Sequence, residues 1–461
     1  MSVANEQVRV PPLATGPFQS LEDVQTLLSS RVNYEADRRV SPDRVFTLNR
    51  IERCLVALGR PDRAYRTIHV AGTKGKGSVS RMLAALLRRA GLRVGLYTSP
   101  HVEHLRERIA VDGQPIDDAG LVSAFNVLAN LDVRLFRDLT VFELLTAAAF
   151  IAFREARTDI SVVEVGIGGR LDATNVISPD VCVITTIGYD HMDLLGQTLE
   201  EIAFEKAGII KPSVPLVCGV TEEGPRQVIA ERAAALNAPV RLYHREYGVT
   251  SFLRTGYRGV CSVRVDRSAW QHLALSTPAR FMATNAAHAL AAFETLAQRQ
   301  AVPRLDEPQV REALAATVCP ACCEVFPGRP TVVVDGAHNA MAAAALSDVV
   351  RTTFEARERV LVIGVPRDKD VGAIIDRLAE CGASRAVFTC YPGTRATPPE
   401  VLARVWLERT GKAGLVVEQP HDAYRQAVAL ARGQGVVIVT GSIHLAGVIR
   451  PLVRSREQER M

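Results

Sequence analysis

The sequence has no long apolar run and no marked excess of charge of either sign. No segment approaches the roughly 18 uninterrupted apolar residues that a membrane-spanning helix needs. Met1 to Gly16 lacks the basic start and the apolar stretch of a secretory signal. The net charge of +5 comes from scattered Lys and Arg, without a basic block interleaved with aromatics. We therefore expect a cytoplasmic protein that binds neither membranes nor nucleic acid.

The cysteine content agrees with that expectation. The chain has nine cysteines in 461 residues and no secretory signal. Cysteines in this context are typical of reduced thiols spread through a core and not of a disulfide framework.

Strand-like apolar runs alternate with helical patterns, which predicts an α/β fold around a mainly parallel sheet. The first set of runs covers residues 67–71, 94–98, 160–165, 181–186 and 214–220. The second set covers residues 331–334, 360–365, 386–390 and 436–440. Proline-containing and turn-rich stretches separate the two sets, and 461 residues are long for a single core. We predict two domains, residues 1–312 and 313–461.

A glycine-rich segment follows the first predicted strand and precedes an amphipathic helical pattern. Its sequence is Gly72-Thr73-Lys74-Gly75-Lys76-Gly77-Ser78. Glycines let backbone N–H groups converge on phosphate oxygens, the start of a helix adds positive potential, and a lysine amine reaches the outer phosphates. An additional glycine between the lysine and the hydroxyl residue distinguishes the segment from the usual P-loop. We interpret it as a phosphate-binding loop; a flexible Gly/Lys loop is the alternative.

Oxygen and imidazole side chains lie at the predicted carboxyl ends of neighbouring strands. Ser99 and Glu164 each end a strand, and His191 lies just beyond a third. Open α/β sheets bind ligands at this edge. Mg²⁺ prefers oxygen ligands, so Ser99 and Glu164 suit it better than His191 does. Taken alone, His191 is more typical of a hydrogen-bonded structural histidine.

A short helix with clear start and stop signals follows. Thr198 and Glu201 form a capping box, Gly208 can end the helix, and Pro212 prevents its continuation. Lys206 then falls in the last turn. By itself, this lysine would be interpreted as complementing the helix dipole.

Together these segments resemble the folylpolyglutamate synthase and dihydrofolate synthase family, a branch of the Mur-ligase-like ATP-dependent amide ligases. The similarity runs from about residue 48 to residue 448 and rests on ordered motifs. These are GTKGKGS at 72–78, TSPH at 98–101, ERI at 107–109, TVFE at 140–143, EVGIGGRLDATN at 164–175, DHMDLLGQTLEEIAFEKAGIIKP at 190–212, DGAHN at 335–339, DKD at 368–370 and TGS at 440–442. The related cell-wall ligases carry an extra domain before the P-loop. Only 71 residues precede Gly72, so we expect the folate branch.

The resemblance implies a P-loop Mur-ligase-like ATPase domain and a smaller C-terminal Rossmann-like α/β domain. The implied reaction joins L-glutamate to dihydropteroate, to the glutamate tail of reduced folates, or to both, through an acyl phosphate. ATP, Mg²⁺, a monovalent cation and a carbamylated Lys206 are the implied cofactors, and the implied protein is a monomer with small-molecule substrates.

The family's functional positions map onto residues of three kinds. The catalytic residues are Lys76, Lys206 and His191, and the metal ligands are Ser99, Glu164 and His191. The nucleotide-binding residues are Thr73, Lys74, Gly75, Lys76, Gly77, Ser78, Asn285, Asp335 and His338. The pterin-side residues are Thr140, Phe142, Glu143, Gly169, Arg170, Leu171 and Asp172.

Two nucleotide-side positions depart from the family pattern. Met282 stands where the family usually has glutamine, and Cys322 stands, by its distance to Asp335, where the family has an arginine that meets phosphate. Either the nearby Arg329 makes that phosphate contact, or the contact is lost, since cysteine cannot replace a guanidinium. Cys319 and Cys322 have the spacing of half a zinc site, but no second Cys/His pair follows, so we expect plain thiols.

Three hypotheses remain open at this stage. An active synthase is the leading one. The alternative is a divergent, catalytically impaired relative that binds nucleotide or folate as a regulatory or partner-binding protein. A synthase with a different acid as acceptor is the third.

Overall fold

The structure, a computed structural model, describes residues 16–34, 47–354, 358–393 and 395–458. The chain forms two compact units. Among the described residues, those within 1–250, 262–271 and 284–314 form unit 1, and those within 251–261, 272–283 and 315–461 form unit 2. The sequence did not indicate that two short segments before residue 284 would group with the C-terminal part. The predicted domain boundary between residues 312 and 313 stays a prediction.

Helices and strands alternate over most of the described chain. The helices are α1 (Leu21–Ser29), α2 (Asn49–Ala57), α3 (Lys76–Arg89), α4 (Asp118–Ala129), α5 (Val133–Asp138), α6 (Val141–Glu155), α7 (Met192–Leu195), α8 (Leu199–Ala207), α9 (Glu223–Ala235), α10 (Arg280–Gln298), α11 (Glu307–Ala315), α12 (Ala340–Thr353), α13 (Val371–Ala379), α14 (Pro399–Thr410), α15 (Pro420–Leu430) and α16 (Ile443–Gln458). Short 3-10 helices cover Pro61–Arg63, Leu105–Arg108 and Ala173–Val176. None of the helices in the described ranges is both long enough and apolar enough to cross a bilayer.

The strands form three sheets. They are β1 (Arg66–Ala71), β2 (Val94–Tyr97), β3 (Ile109–Val111), β4 (Gln114–Pro115), β5 (Ile160–Glu164), β6 (Val181–Ile184), β7 (Leu216–Cys218), β8 (Val240–Leu242), β9 (Tyr247–Thr255), β10 (Arg258–Val265), β11 (Ser268–Leu275), β12 (Glu324–Phe326), β13 (Thr331–Val334), β14 (Arg359–Ile363), β15 (Arg385–Phe388), β16 (Leu415–Val416) and β17 (Val436–Thr440). One sheet has the order β11-β10-β9. The sequence patterns did not indicate these three strands.

The large sheet of unit 1 has the order β4-β3-β2-β5-β1-β6-β7-β8. The six strands from β2 to β8 in this order are parallel, and β3 and β4 pair antiparallel at one edge. The central strands are buried and strongly apolar, as expected for parallel strands covered on both faces. β1 lies between β5 and β6, so the segments that follow these three strands meet at the carboxyl edge of the sheet.

Buried apolar side chains hold the helices of unit 1 in place. One cluster contains most of α6, including Leu144, Phe150 and Phe153, together with side chains of α1, α2 and α4. A second cluster joins α8 and α9 to β6 and β7 through residues such as Ile202 and Ile229. Burying one such side chain contributes about 1.5–3 kcal/mol. The segments at the carboxyl edge of the sheet therefore start and end on rigid elements.

The sheet of unit 2 has the order β12-β13-β17-β14-β15-β16. Its strands from β13 to β16 are parallel, and β12 pairs antiparallel with β13. The strands near the middle of the sheet are fully buried, and helices lie between them in sequence. Two α/β units with mainly parallel sheets confirm the predicted fold class.

Candidate active site

The glycine-rich loop lies between β1 and α3, as predicted. Gly72 and Gly75 have φ values of 147° and 85°, a backbone conformation that side chains other than glycine rarely adopt. A Cβ atom at Gly75 would also collide with the side-chain amide of Asn285 on α10. The structure therefore brings Asn285, one of the predicted nucleotide-binding residues, into contact with the loop, although 210 positions separate them.

Hydrogen bonds fix the loop to the segment that follows β6. The N–H of Thr73 donates to the carbonyl of Thr186 (2.8 Å), and the N–H of Lys74 donates to the hydroxyl of the same threonine (3.0 Å). The Thr73 hydroxyl accepts the N–H of Gly188 (3.0 Å). The Lys74 amine forms an ion pair with Asp190 (3.1 Å). Two neighbouring strands thus position one loop, and Thr186 is a supporting residue that the motif comparison did not single out.

The first turn of α3 faces the loop without a side-chain cap. Gly75 is the N-cap residue and has no side chain that could accept the N–H groups of the first turn, to which Gly77 and Ser78 belong. The Lys76 amine folds back to the carbonyl of Gly72 (3.0 Å). Backbone N–H groups at a helix start, a lysine amine and small residues are the components of an anion site.

Ser99 and Glu164 come together beside this loop. The N–H of Ser99 donates to Glu164 Oε2 (3.1 Å), and Gly77 lies so close that a Cβ atom there would be 3.4 Å from the same oxygen. Burial raises the pKa of Glu164 to about 7, and Lys76 partly offsets the shift. A bound cation would stabilise this buried carboxylate as an anion, so the serine and glutamate oxygens fit Mg²⁺.

His191 begins α7 with a left-handed backbone (φ 54°) and lies next to Asp190. Its N–H donates to Asp190 Oδ1 (3.1 Å), and its ring nitrogen lies 3.8 Å from the same oxygen. Through the ion pair of Asp190 with Lys74, the histidine belongs to the surroundings of the loop. Its role as a metal ligand stays a prediction.

The described residues contain no group of three or more His, Cys, Asp or Glu side chains arranged to hold a metal ion. The predicted magnesium set does not require one, because it includes a serine. The cysteines at 319, 322 and 323 likewise form no such group in the described chain.

Lys206 is buried near the last turn of α8, with 4% of its surface exposed. The pKa of Lys206 is lowered to about 7, mainly by burial; the nearby Lys76 and Lys74 also lower it, whereas Asp190 and Asp172 raise it. The capping box of Thr198 and Glu201 that starts this helix is present. A lysine that only complemented a helix dipole would have no need of burial among these charged groups.

A cavity adjoins the site at the start of α6. Its walls are Tyr34, Thr47, Arg50, Thr140, Phe142, Glu143, Gly166, Ile167, Leu171, Asp172 and Ala173. Five of the seven predicted pterin-side residues are among them. The Arg50 guanidinium donates to both carboxylate oxygens of Glu143 (3.0 and 3.1 Å). No local sequence pattern indicated this pair, because its members are 93 positions apart.

Asp172 is the centre of a buried network on one wall of this cavity. Its carboxylate accepts the N–H groups of Gly166 (3.1 Å), Ile167 (3.0 Å) and Thr174 (3.0 Å), and also the Thr174 hydroxyl. That hydroxyl contacts His69 Nε2 on β1 at 2.8 Å. Burial raises the pKa of Asp172 to about 6, although these hydrogen bonds lower it. The network holds the loop after β5 in one shape.

Gly169 and Arg170, the other two predicted pterin-side residues, do not line the cavity but contact α8. The N–H of Arg170 donates to the carbonyl of Glu205 (2.7 Å), and its guanidinium pairs with the Glu205 carboxylate (2.7 Å). A Cβ atom at Gly169 would lie 2.8 Å from the Glu205 carbonyl oxygen and 3.0 Å from Lys206 Cα. These two residues therefore position the helix that carries Lys206.

The predicted residues of unit 2 follow β13. The Asp335 carboxylate accepts the N–H groups of Cys323 (2.7 Å) and Ala337 (2.7 Å). His338 Nδ1 contacts the carbonyl of Gly336 (2.8 Å). These bonds order the turn between β13 and α12.

Met282 and Cys322, the two departures from the family pattern, contact each other within unit 2. Their sulfur atoms are 4.0 Å apart, and Met282 is fully buried. Arg329 is exposed in the turn between β12 and β13, and its carbonyl accepts a hydrogen bond from Arg456 (2.9 Å). Thioether and thiol groups pack well together, so the two substitutions form an apolar contact.

Comparison with known proteins finds relatives that are similar over nearly the whole chain. Residues 70–293 match the family described as Mur ligase middle domain, and residues 323–443 match the Mur ligase glutamate ligase domain. The folylpolyglutamate synthase of Lacticaseibacillus casei is 33% identical over 87% of this chain and 93% of that protein. The dihydrofolate synthase/folylpolyglutamate synthase of Mycobacterium tuberculosis is 34% identical over 95% and 96%. The chain belongs to the folylpolyglutamate synthase/dihydrofolate synthase family.

Solved structures of the family have the same fold. Folylpolyglutamate synthase from Mycobacterium tuberculosis in complex with ADP superposes with a TM-score of 0.86, at 34% identity over 94% of this chain and 98% of that chain. Escherichia coli FolC in complex with DHPP and ADP has a TM-score of 0.83, at 28% identity over 96% and 100%. The Mur-ligase-like architecture with a smaller C-terminal α/β domain is thereby confirmed. Nothing in these comparisons favours the catalytically impaired alternative.

Proposed function

We propose that this protein is an ATP-dependent ligase that joins L-glutamate to dihydropteroate, to the glutamate tail of reduced folates, or to both. The acceptor carboxylate is activated as an acyl phosphate, and the amine of glutamate then forms the amide. The protein thus serves folate metabolism through the addition of the first or of further glutamates.

One observation carries this proposal. The phosphate-binding loop, the buried Glu164 and the buried Lys206 belong to one edge of the large sheet, next to a cavity lined by Phe142 and Asp172. Open α/β sheets bind ligands at this edge. An aromatic side chain and a carboxylate suit a flat heteroaromatic ring that carries hydrogen-bond donors. The same edge can therefore bind a pterin and bring its carboxylate to a nucleotide.

The first half of the reaction needs charge neutralisation. The acceptor carboxylate attacks the terminal phosphorus of ATP, and ADP leaves. Lys76 and the backbone N–H groups of the loop stabilise the charge on the phosphoryl group in transfer. Ser99, Glu164 and His191 would hold Mg²⁺, which would supply a Lewis acid for the phosphate oxygens. Thr73, Lys74, Gly75, Gly77 and Ser78 would contact the phosphates, as would Arg329 if it replaces the family's arginine. Asn285, Asp335 and His338 would contact the nucleotide.

The second half is attack by the amine of glutamate on the acyl carbon, with release of phosphate. The neutral Lys206 amine forms an N–C bond to CO₂ and loses one proton to solvent, and the resulting carbamate replaces a buried cation with an anionic oxygen donor. The lowered pKa of Lys206, about 7, supports this modification because the amine is partly neutral at physiological pH. The carbamate oxygens would help to orient the residues that would hold Mg²⁺.

Further parts of the proposal concern the whole protein. We place the border of the two domains between residues 312 and 313 and expect a monovalent cation near the nucleotide. The reaction does not require a nucleic acid, a membrane or a second subunit. We therefore expect a cytoplasmic monomer.

Product analysis by mass spectrometry tests the proposal. Purified protein receives ATP, Mg²⁺ and glutamate, with dihydropteroate or a reduced folate as acceptor. We expect a glutamyl adduct of at least one acceptor. Lys206→Ala should abolish it, whereas Lys412→Ala, an exposed lysine of unit 2, should not. Absence of an adduct with both acceptors, in protein that binds nucleotide, would contradict the proposed substrates.

A further inference from the structure

A second cavity of unit 1 lies beside the one described above. It is lined by side chains of α1, of the segment that follows β2, and of α6. Four of its residues, His101, His104, Arg106 and Arg108, are basic or can become so, and Glu103 is the acidic one. Nothing so far in the reaction uses this cavity.

The two cavities have adjacent walls. Asn33 lines the second cavity and Tyr34 the first; Val141 lines the second, between Thr140 and Phe142, which line the first. His101, which lines the second cavity, also follows the predicted magnesium ligand Ser99 by two positions along the chain. The alternation of wall residues at 140–142 places the second cavity next to the pterin-side cavity.

Hydrogen bonds within the segment that follows β2 hold the basic residues in place. The Glu107 carboxylate accepts the N–H groups of Val102 (2.9 Å), Glu103 (3.0 Å) and His104 (2.8 Å), which closes the segment into a tight loop. Arg108 is 5% exposed, and its Nε donates to His101 Nδ1 (3.0 Å). A buried guanidinium in this position gives the cavity a permanent positive charge.

The remaining positive charge lies nearer the solvent. Arg106 forms an ion pair with Asp118 (3.0 Å), and the two side chains are 32% and 58% exposed. An exposed pair of this kind contributes little to stability, so Arg106 can exchange Asp118 for a ligand carboxylate at small cost. Leucine side chains of α1 and α6 complete the walls, so apolar surface lies next to the guanidinium groups.

We propose that this cavity binds the α-carboxylates of the internal glutamyl residues of the acceptor's tail. The proposal rests on the proposed function. Each γ-linked glutamate adds one carboxylate and two methylene groups, which match guanidinium groups beside apolar walls. As the tail grows, the pterin and the reacting carboxylate become separated by more units. A side cavity that adjoins the pterin-side cavity gives those units a place and lets the new end reach the same site.

The test compares two acceptors in three proteins. KM is measured for a triglutamyl reduced folate and for dihydropteroate, which has no glutamyl tail, with wild-type protein, Arg106→Gln and Arg134→Gln. Arg134 is an exposed arginine of α5 outside the cavity and serves as the matched control. We expect the ratio of the two KM values, triglutamyl over tail-free, to rise about tenfold or more in Arg106→Gln, because a charge-assisted hydrogen bond is lost. In Arg134→Gln the ratio stays as in the wild type.

A competition experiment separates a tail site from a general anion site. A free γ-linked triglutamate should inhibit turnover of the triglutamyl acceptor in the wild type, and clearly less in Arg106→Gln. Inorganic phosphate at equal ionic strength should not reproduce this difference; if it does, the cavity is a general anion site and the proposal is wrong.

Different results would contradict the tail site and the proposed function. An unchanged KM ratio in folded Arg106→Gln, with product from both acceptors, would overturn the tail site alone. A wild type that forms product from neither acceptor would overturn the proposed function itself, whereas product from dihydropteroate alone would overturn only the tail site.

Discussion

Replacement of Gly169 by alanine tests how closely the loop after β5 must approach the helix that carries Lys206. The new Cβ would lie 2.8 Å from the carbonyl oxygen of Glu205 and 3.0 Å from the Cα and carbonyl oxygen of Lys206. Ordinary van der Waals contact begins at 3.4 Å, so the distance between the new Cβ and the Glu205 oxygen must increase by about 0.6 Å. The opposing atoms belong to the backbone, so no side chain can rotate away. Either the loop or α8 has to move.

The displacement should affect both stability and catalysis. Overpacking of this kind costs about 1–3 kcal/mol of the free energy of unfolding. A misplacement of about 1 Å at a reacting centre can reduce the rate about a hundredfold. For a shift of about 0.6 Å of Lys206 we expect kcat to fall about 10- to 100-fold. The KM for ATP should change little, because the phosphate-binding loop follows a different strand, β1.

Steady-state kinetics with the best acceptor, together with thermal unfolding, measures both effects. Gly248→Ala is the matched control, since its Cβ would be 3.7 Å from the nearest atom, His244 N, in ordinary contact. A folded Gly169→Ala protein with kcat within twofold of the parent would refute the reasoning. It would show that Lys206 either moves without consequence or plays no part in the reaction.

Three further predictions concern charged and titrating groups. Lys76→Met should lower kcat about a thousandfold. It should shift the melting temperature little, because the amine's bond to the Gly72 carbonyl is one ordinary hydrogen bond. A small kinetic effect would contradict the role of Lys76. Protein freed of CO₂ should regain activity when bicarbonate is added. At constant dissolved CO₂, the rate of reactivation should rise with pH around a midpoint near 7 instead of 10.5, because only the neutral Lys206 amine reacts. A midpoint near 10 would be inconsistent with this. Burial lowers the pKa of His288 from 6.5 to about 3, so the unfolded chain binds the extra proton and unit 1 loses stability as pH falls below about 6.5. Denaturant unfolding measures how much the free energy of unfolding falls from pH 7 to pH 5. This fall should be about 2 kcal/mol smaller in His288→Gln than in the wild type. Equal falls in both proteins would refute the assignment.

Local chain signals were sufficient for the fold class and for the elements that carry the site. Strand runs bounded by glycines, and capping residues such as Thr198 and Glu201, act over a few positions, so their pattern is visible in the sequence. The predicted run at residues 94–98 corresponds to β2 (Val94–Tyr97), and the helix with Lys206 ends at Ala207, next to the expected Gly208. The strands β9, β10 and β11 were missed because the notable motifs lie outside them.

The closest contacts of the site depended on the tertiary structure. Arg50 with Glu143, and His69 with Thr174, are pairs 93 and 105 positions apart, and no local pattern relates their members. The same holds for Asn285 beside Gly75. The burial that lowers the pKa of Lys206 also arises only when separate strands and helices close around one side chain. Spacing along the chain can indicate which residues carry the chemistry, but their distances and charges result from packing between elements that are remote in sequence.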